Sequence, residues 1–321
     1  MIKYIFIWLF LSHYSFGQNL KSFKSEGLII YYEEYGKGQP LYILTGGPGA
    51  PPQDPSSGII DSLKSKYTCV LLHQRGSGKS RNIPINEKTI NIKSYLHDVE
   101  TLRKLRKDDK IIILGISWGG LLAMNFAAEN PDKVSKLLLI CSAPPSYKLW
   151  NVLPDNQYAR YSIAERDSMT LLSKIFSVKT DEQLDSLKRT DPDIKEVRAF
   201  KQFVAILHRV HFYDRSKAIS GFDKLFADFN FRPIPFIDKE VLGTKWDITK
   251  QLKKINTPAL IMYGRQDDQG ESTFALQKEC LKNSEVHVIE KSGHIIWEDQ
   301  PEQFYKILMD YLNKKKLNTN R

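Results

Sequence analysis

A serine flanked by glycines stands at residues 115–119, Gly-Ile-Ser-Trp-Gly, after the apolar run 111–114 and before a helical run at 121–128. A G-x-S-x-G turn between strand and helix lets the backbone pinch, so that the hydroxyl of Ser117 stands clear of it. The amides and dipole of the opening helix favour a negative charge growing beside that serine. Serine is a weak nucleophile near neutral pH, and needs a base to take its proton and a carboxylate to orient the base. LIMYGRQDDQ supplies Asp267 and Asp268 just past one apolar run, and VIEKSGHIIWED supplies His294 just past the next. Asp267 stands at the G-x-x-D offset from Gly264 and is preferred to Asp268. Serine, acid, histidine is the chain order expected when the serine sits on such a turn.

Acyl transfer also needs donors for an oxyanion. One is expected to be the backbone N–H of Trp118, next after the serine. The other is assigned to the LTGGPGAPP loop, where Gly46, Gly47 and Gly49 let the backbone approach a substrate; the N–H of Gly47 is favoured. A different loop, HQRGSGKS at 73–80, resembles a phosphate-binding loop at its end. A Walker loop needs glycine where His73 stands and a helix opening at Lys79-Ser80, whereas 81–84 reads as loop. His208, His211 and Asp214 have spacing that permits a metal site. Without a fourth ligand a polar helix face is the ordinary explanation, and neither metal nor cofactor is expected.

The elements that must position these groups follow from the apolar pattern. Short β-rich runs occur at 28–32, 41–44, 68–72, 111–114, 137–141, 259–263 and 286–289, several of them apolar throughout. That suits strands covered on both faces of a parallel sheet. Leu96, Val99, Leu102 and Leu105 suggest one helix face between two of them. From about 146 to 251 no strong strand run occurs, and stretches such as 168–176 and 196–211 read as helices. The expected architecture is an α/β fold, a mostly parallel sheet flanked by helices, with a helical cap at 146–251 inserted in a core of 18–145 and 252–321. Trp150, Phe200, Phe203, Phe212, Tyr213 and Phe231 fit a cap pocket or cap packing equally well.

The chain of 321 residues, with 41% hydrophobic and 26% charged residues, is long enough to bury a core without metal or disulfides. Its net charge of +10 comes from scattered lysines, with a cluster only at Lys314, Lys315 and Lys316, so nucleic acid is not the expected partner. Residues 1–17 read as a secretory signal: Lys3, a short apolar stretch at 4–11, and small Ser15 and Gly17 before a cut at Gln18. An exported protein, periplasmic or extracellular and without a stable membrane anchor, is expected. Cys69 and Cys141 read as buried small hydrophobes, Cys280 as a helix residue, and none as a nucleophile.

TGGPG from Thr45, HQRGSGKS from His73, GISWGG from Gly115, GRQD from Gly264 and the Gly293-His294 pair together resemble the α/β-hydrolase superfamily, in particular its proline iminopeptidase group. The resemblance spans about 26–304. It implies an α/β-hydrolase fold, a Ser117–Asp267–His294 triad, oxyanion donors at Gly47 and Trp118, and a glycine-serine-glycine turn braced by Gln74 and Arg75. Thr45 replaces the group's histidine and His73 its aspartate, which suggests a rewired hydrogen bond. In that group cap glutamates grip the substrate's α-amino group; here Arg209 stands where one is expected, and Glu165, Asp214 and Glu240 are the substitutes on offer. The expected function is a serine hydrolase acting through an acyl-enzyme, most simply an aminopeptidase releasing an N-terminal residue, proline included, from short peptides. A carboxylesterase or small amidase is the alternative, and a ligand-binding protein with little turnover is the alternative of another class.

Overall fold

A computed structural model describes residues 19–52 and 56–314. The expected signal segment and most of the lysine cluster lie outside the described residues. Eight strands form one sheet in the order β1-β2-β4-β3-β5-β6-β7-β8. They are β1 (Leu20–Ser25), β2 (Leu28–Tyr35), β3 (Gln39–Leu44), β4 (Tyr67–His73), β5 (Ile111–Ile116), β6 (Val134–Ile140), β7 (Ala259–Gly264) and β8 (Ser284–Ile289). β1, β2 and β4 pair antiparallel, and every pairing from β4 onward is parallel. The all-apolar runs became the central strands: every residue of β5 and of β7 is buried.

β1 was not expected. Its LKSFKS buries a single large apolar residue, Phe23, and it is a strand because Glu26 and Gly27, both at positive φ, turn it back onto β2. The helix at Ile92–Arg106 buries Leu96, Val99 and Leu102 as expected, but Leu105 is 56% exposed. Leu105 lies nine positions after Leu96, about 180° round a helix of 3.6 residues per turn, so a strict three-residue spacing runs off the buried face.

Between β6 and β7 the described chain forms helices, including Ile163–Phe176, Asp181–Thr190, Lys195–Arg209 and Ile234–Gly243. This insertion leaves and rejoins the sheet side at one clasp. Ser146 bridges Asp247, the Tyr147 N–H donates to the Trp246 carbonyl at 2.8 Å, and the Ile248 N–H donates to the Pro145 carbonyl at 3.1 Å. The insertion has its own apolar centre of Leu184, Val197, Val204, Phe222 and Phe226, with Phe200, Phe203 and Phe231 packed against it. Those last three aromatics therefore serve packing. Trp150 instead meets the ring of Trp118 with centroids 6.5 Å apart, and Tyr213 is 48% exposed. The three cysteines are free and buried. No helix among the described residues is long and apolar enough to cross a membrane.

Candidate active site

The glycines around Ser117 are fixed by sterics. A Cβ on Gly115 would stand 2.3 Å from the Gly119 carbonyl oxygen, one on Gly119 2.0 Å from the Leu44 oxygen, and one on Gly120 2.2 Å from Ser142 Oγ. Only hydrogen fits, so the helix Trp118–Glu129 starts hard against β3 and β5. The turn forces Ser117 to φ 53° and ψ −120°, a sparsely populated conformation that costs ~1–3 kcal/mol. Buried neighbours over-determine it, and Ser117 itself is half-buried.

Ser117, Asp267 and His294 follow β5, β7 and β8, strands of the parallel part of the sheet whose carboxyl ends all point the same way. A Cβ on Gly264 would lie 2.1 Å from the Gly293 oxygen, so this glycine lets the acid loop touch the histidine loop. Asp267 Oδ1 is 2.8 Å from His294 Nδ1. A carboxylate only accepts, so the ring proton sits on Nδ1 and Nε2 is left with a lone pair. Asp268 takes a different position. Its Oδ1 is 3.6 Å from His294 Nδ1, while its Oδ2 accepts from Gln157 Nε2 at 2.8 Å. The preference for Asp267 over Asp268 thus has a geometric basis.

The serine turn meets this pair through Cys141. Ser117 donates its N–H to the Ile140 carbonyl and accepts from the Ala143 N–H, both at 3.0 Å. Between those residues, the Cys141 sulfur lies within 4.8 Å of ligand atoms of Asp267 and His294. Among the described residues the Ser117 hydroxyl makes no hydrogen bond to the His294 ring. The expected continuous proton chain is closed on its carboxylate side only. Such bonds tighten when substrate fills the site.

Burial works against a charged His294, but the Asp267 charge and hydrogen bond, then the Asp268 charge, outweigh it and lift the ring above its ordinary value. A general base must be neutral, so a raised value moves the acidic limb of activity upward. The midpoint of that limb in kcat/KM for an acyl ester is expected above ~6.5, the unperturbed imidazole value. A limb centred below 6.5 would show that the carboxylates do not act on the working base.

In the glycine-rich loop after β3, a Cβ on Gly46 would be 3.3 Å from Ser117 Cβ. Gly47, at φ 112°, follows it and precedes a cis bond to Pro48. The Trp118 amide opens a helix and so has no acceptor within it. Its indole donates to Gln74 Oε1 at 3.0 Å, and Gln74 Nε2 donates to the Thr45 carbonyl at 2.8 Å, tying the elbow to the oxyanion loop. Arg75, fully buried, pairs with Asp98 at 2.7 Å and with Glu26 at 2.8 Å. These side chains anchor the start of the glycine-serine-glycine turn, and within it the Gln74 carbonyl accepts from the Ser77 N–H at 2.9 Å. His73 and Thr45 do not exchange for one another. His73 accepts from the Lys79 N–H at 2.9 Å through Nδ1 and faces Glu33 at 3.1 Å through Nε2, while Thr45 belongs to Gln74. A 3-10 turn of four residues, Gly78–Arg81, takes in Arg81, while 82–84 form neither helix nor strand, as expected of loop.

The acids offered for substrate recognition are committed elsewhere. Glu165 caps its own helix through Ser162 and pairs with Arg215 at 3.0 Å. Asp214 caps a short turn by accepting from Ser216 at 2.6 Å, and Glu240 accepts from the Ile92 N–H at 2.9 Å. His208 and His211 do not form a metal site with Asp214. His208 packs on the rings of Phe212 and Phe222, centroids 5.2 and 5.5 Å away, so it is no polar helix face either. Burial, then His211, push it down to about 4. His211 faces Asp268 at 3.1 Å. Among the described residues the one group with ligand atoms close enough for a metal is Cys141, Asp267 and His294. Burial and then the Asp267 charge hold the thiol well above its ordinary value, which keeps it protonated and a poor ligand.

Residues 39–301 match the family described as the alpha/beta hydrolase fold, and the chain belongs to that family. Within it, the chain is 26% identical over 290 residues to a proline iminopeptidase of Heyndrickxia coagulans, covering 88% of this chain and 93% of that protein. It is 25% identical over 300 residues to one of Saccharolobus solfataricus, covering 90% of each. Among solved structures, the esterase EaEST of Exiguobacterium antarcticum superposes with a TM-score of 0.64 at 20% identity, covering 91% of this chain and 99% of that one.

Proposed function

We propose that this protein is a serine hydrolase that acts through an acyl-enzyme and most simply serves as an aminopeptidase on short peptides, proline at the N-terminus included. The observation that carries the reading is the buried 2.8 Å contact between His294 Nδ1 and Asp267, at the sheet end where the strained Ser117 turn emerges. Ser117 attacks the carbonyl carbon. His294 Nε2 takes the hydroxyl proton and returns it to the leaving amine or alcohol; Asp267 holds the ring's tautomer and offsets the imidazolium charge. The Trp118 amide and an amide of the Gly46-Gly47 turn face the oxyanion, and water repeats the steps in reverse to release the acyl group. The helical insertion serves as a cap over the site, and the protein is exported after a cut before Gln18.

The peptidase preference draws its support from the proline iminopeptidase relatives. An esterase or small amidase is the second reading, favoured by the engagement of Glu165, Asp214 and Glu240 in contacts of the fold, which leaves them poorly placed to receive an ammonium group. A panel of aminoacyl arylamides, proline among them, run beside p-nitrophenyl acyl esters separates the two. Turnover of prolyl arylamide with kcat/KM above that of the esters supports the peptidase. Ester turnover with no arylamide hydrolysed removes it.

A further inference from the structure

We infer that His211, carried by the insertion, and Asp268 form a second imidazole–carboxylate pair that positions the His294–Asp267 pair and sets how readily His294 accepts a proton. The inference rests on the reading of His294 as the general base. It names positioning residues, not groups that touch the substrate.

The contacts run along one short segment. The His211 carbonyl accepts from the His294 N–H at 2.6 Å and from the Ile295 N–H at 3.2 Å. A Cβ on Gly293 would lie 2.3 Å from that oxygen, so the histidine loop can approach only because Gly293 has none. Asp299 Oδ2 accepts from both the Tyr213 and the Gly293 N–H groups at 2.8 Å. On the other side Arg160 donates to the carbonyls of Val210, at 2.8 Å, and of Gln266, in the acid loop. The segment around His211 is thus wedged between the loops that carry Asp267 and His294.

The side chains continue the arrangement. The His211 and His294 rings lie 5.2 Å apart at 42°. Asp268, with its side chain fully buried, stands between the histidines: 3.1 Å from His211 Nδ1 through Oδ2 and 3.6 Å from His294 Nδ1 through Oδ1. The Oδ1 atom has no hydrogen-bond partner, and His211 Nδ1 lies off the hydrogen-bond line to Oδ2. A buried carboxylate oxygen without a donor is costly unless a charge nearby compensates it. An imidazolium at His294 is such a charge. Burial raises Asp268, but the charge of His211 and its close approach to Oδ2, the charge of His294 and the Gln157 hydrogen bond overcome it and hold the carboxyl ionised. The titratable and charged groups facing the pair are Asp267, His294, His208, Arg160, Tyr161, Cys141 and Asp299.

His211 has the same effect in either protonation state. Neutral, it draws the Asp268 charge toward Oδ2 and away from His294. Charged, it repels the imidazolium directly. Both oppose proton uptake by His294, whereas Asp268 favours it. Removing His211 therefore moves the base upward and removing Asp268 moves it downward, an opposition that loss of packing alone would not produce.

The test measures the pH dependence of inactivation by a fluorophosphonate probe for the full chain, His211→Phe, Asp268→Asn and the double variant, with melting curves for each. Phenylalanine keeps the ring packed on His294 and deletes the donor and charge. His211→Phe is expected to raise the acidic limb by about half a pH unit or more, and Asp268→Asn to lower it by a similar amount. The double variant is expected no lower than Asp268→Asn, because a neutral His211 acts through the carboxylate and a charged one opposes proton uptake by His294 directly. Limbs that coincide with the unmodified protein's, or that shift in one direction for both single variants, overturn the inference. If one variant does not fold, the sign of the other's shift decides. A chain that the probe does not inactivate at any pH loses the Ser117 and His294 reading, and this inference falls with it; inactivation with unmoved limbs removes the inference alone.

Discussion

Ser117→Ala is expected to lower kcat for p-nitrophenyl ester hydrolysis by ~10⁴-fold or more and to abolish labelling by a fluorophosphonate probe. The effect is large because no other hydroxyl can replace it. The turn is held by glycines that allow no added carbon, and the Ser117 backbone is pinned by Ile140 and Ala143 on either side of Cys141. The neighbouring thiol is no substitute, since burial and Asp267 keep it protonated. The substitution costs the fold little. Ser117 is half-buried, its hydroxyl has no hydrogen bond to His294 to lose, and alanine meets the same steric penalty at φ 53° as serine does. Melting temperature and kcat therefore part company: an unchanged melt with lost turnover is the expected pattern. Equal labelling of the two proteins would move the nucleophile elsewhere and dissolve the proposed mechanism.

The parts of this molecule that could be read from its sequence are those whose causes are local. Apolar runs of strand length became β5 and β7 because a strand covered on both faces has no polar side to alternate. Gly115 was legible because a Cβ there would strike the Gly119 carbonyl of the same turn, whereas Gly119 and Gly264 make room for Leu44 and Gly293, distant in the chain, and only their motif spacing pointed to them. Leu105 was misplaced because three-residue spacing only approximates the helical period. β1 was missed because its strand character comes from pairing with β2 and not from its own composition.

The pairing of His211 with Asp268, and the approach of Gly46 to Ser117, depend on segments far apart in the chain meeting in space. A single sequence shows the residue types there but not the meeting. The same holds for Glu165, Asp214 and Glu240. Their acidity made them candidates, and only their neighbours Arg215, Ser216 and Ile92 show where that acidity is used.

Asp267→Asn separates the two adjacent acids. It is expected to lower kcat/KM by ~10³–10⁴-fold, while Asp268→Asn leaves it within about tenfold at the pH optimum. An ionised Asp267 can only accept, which places the ring proton on Nδ1 and leaves Nε2 to receive the serine proton. Asparagine can turn its amide N–H toward Nδ1. The ring then carries its proton on Nε2, facing the serine, and cannot act as a base. Asp268 cannot take over, because its nearer oxygen is 3.6 Å from Nδ1 and its other oxygen is held by Gln157 and His211. Nor is collapse of the fold expected to account for the loss. Asp267 shares its buried corner with a second carboxylate, and neutralising one of two like charges relieves repulsion as it removes a partner from His294. The measurement is kcat/KM on an acyl ester for both variants across pH, with melting curves alongside. Loss in Asp268→Asn with retention in Asp267→Asn would reverse the assignment, since the 2.8 Å contact would then be a structural bond and the longer one the working bond.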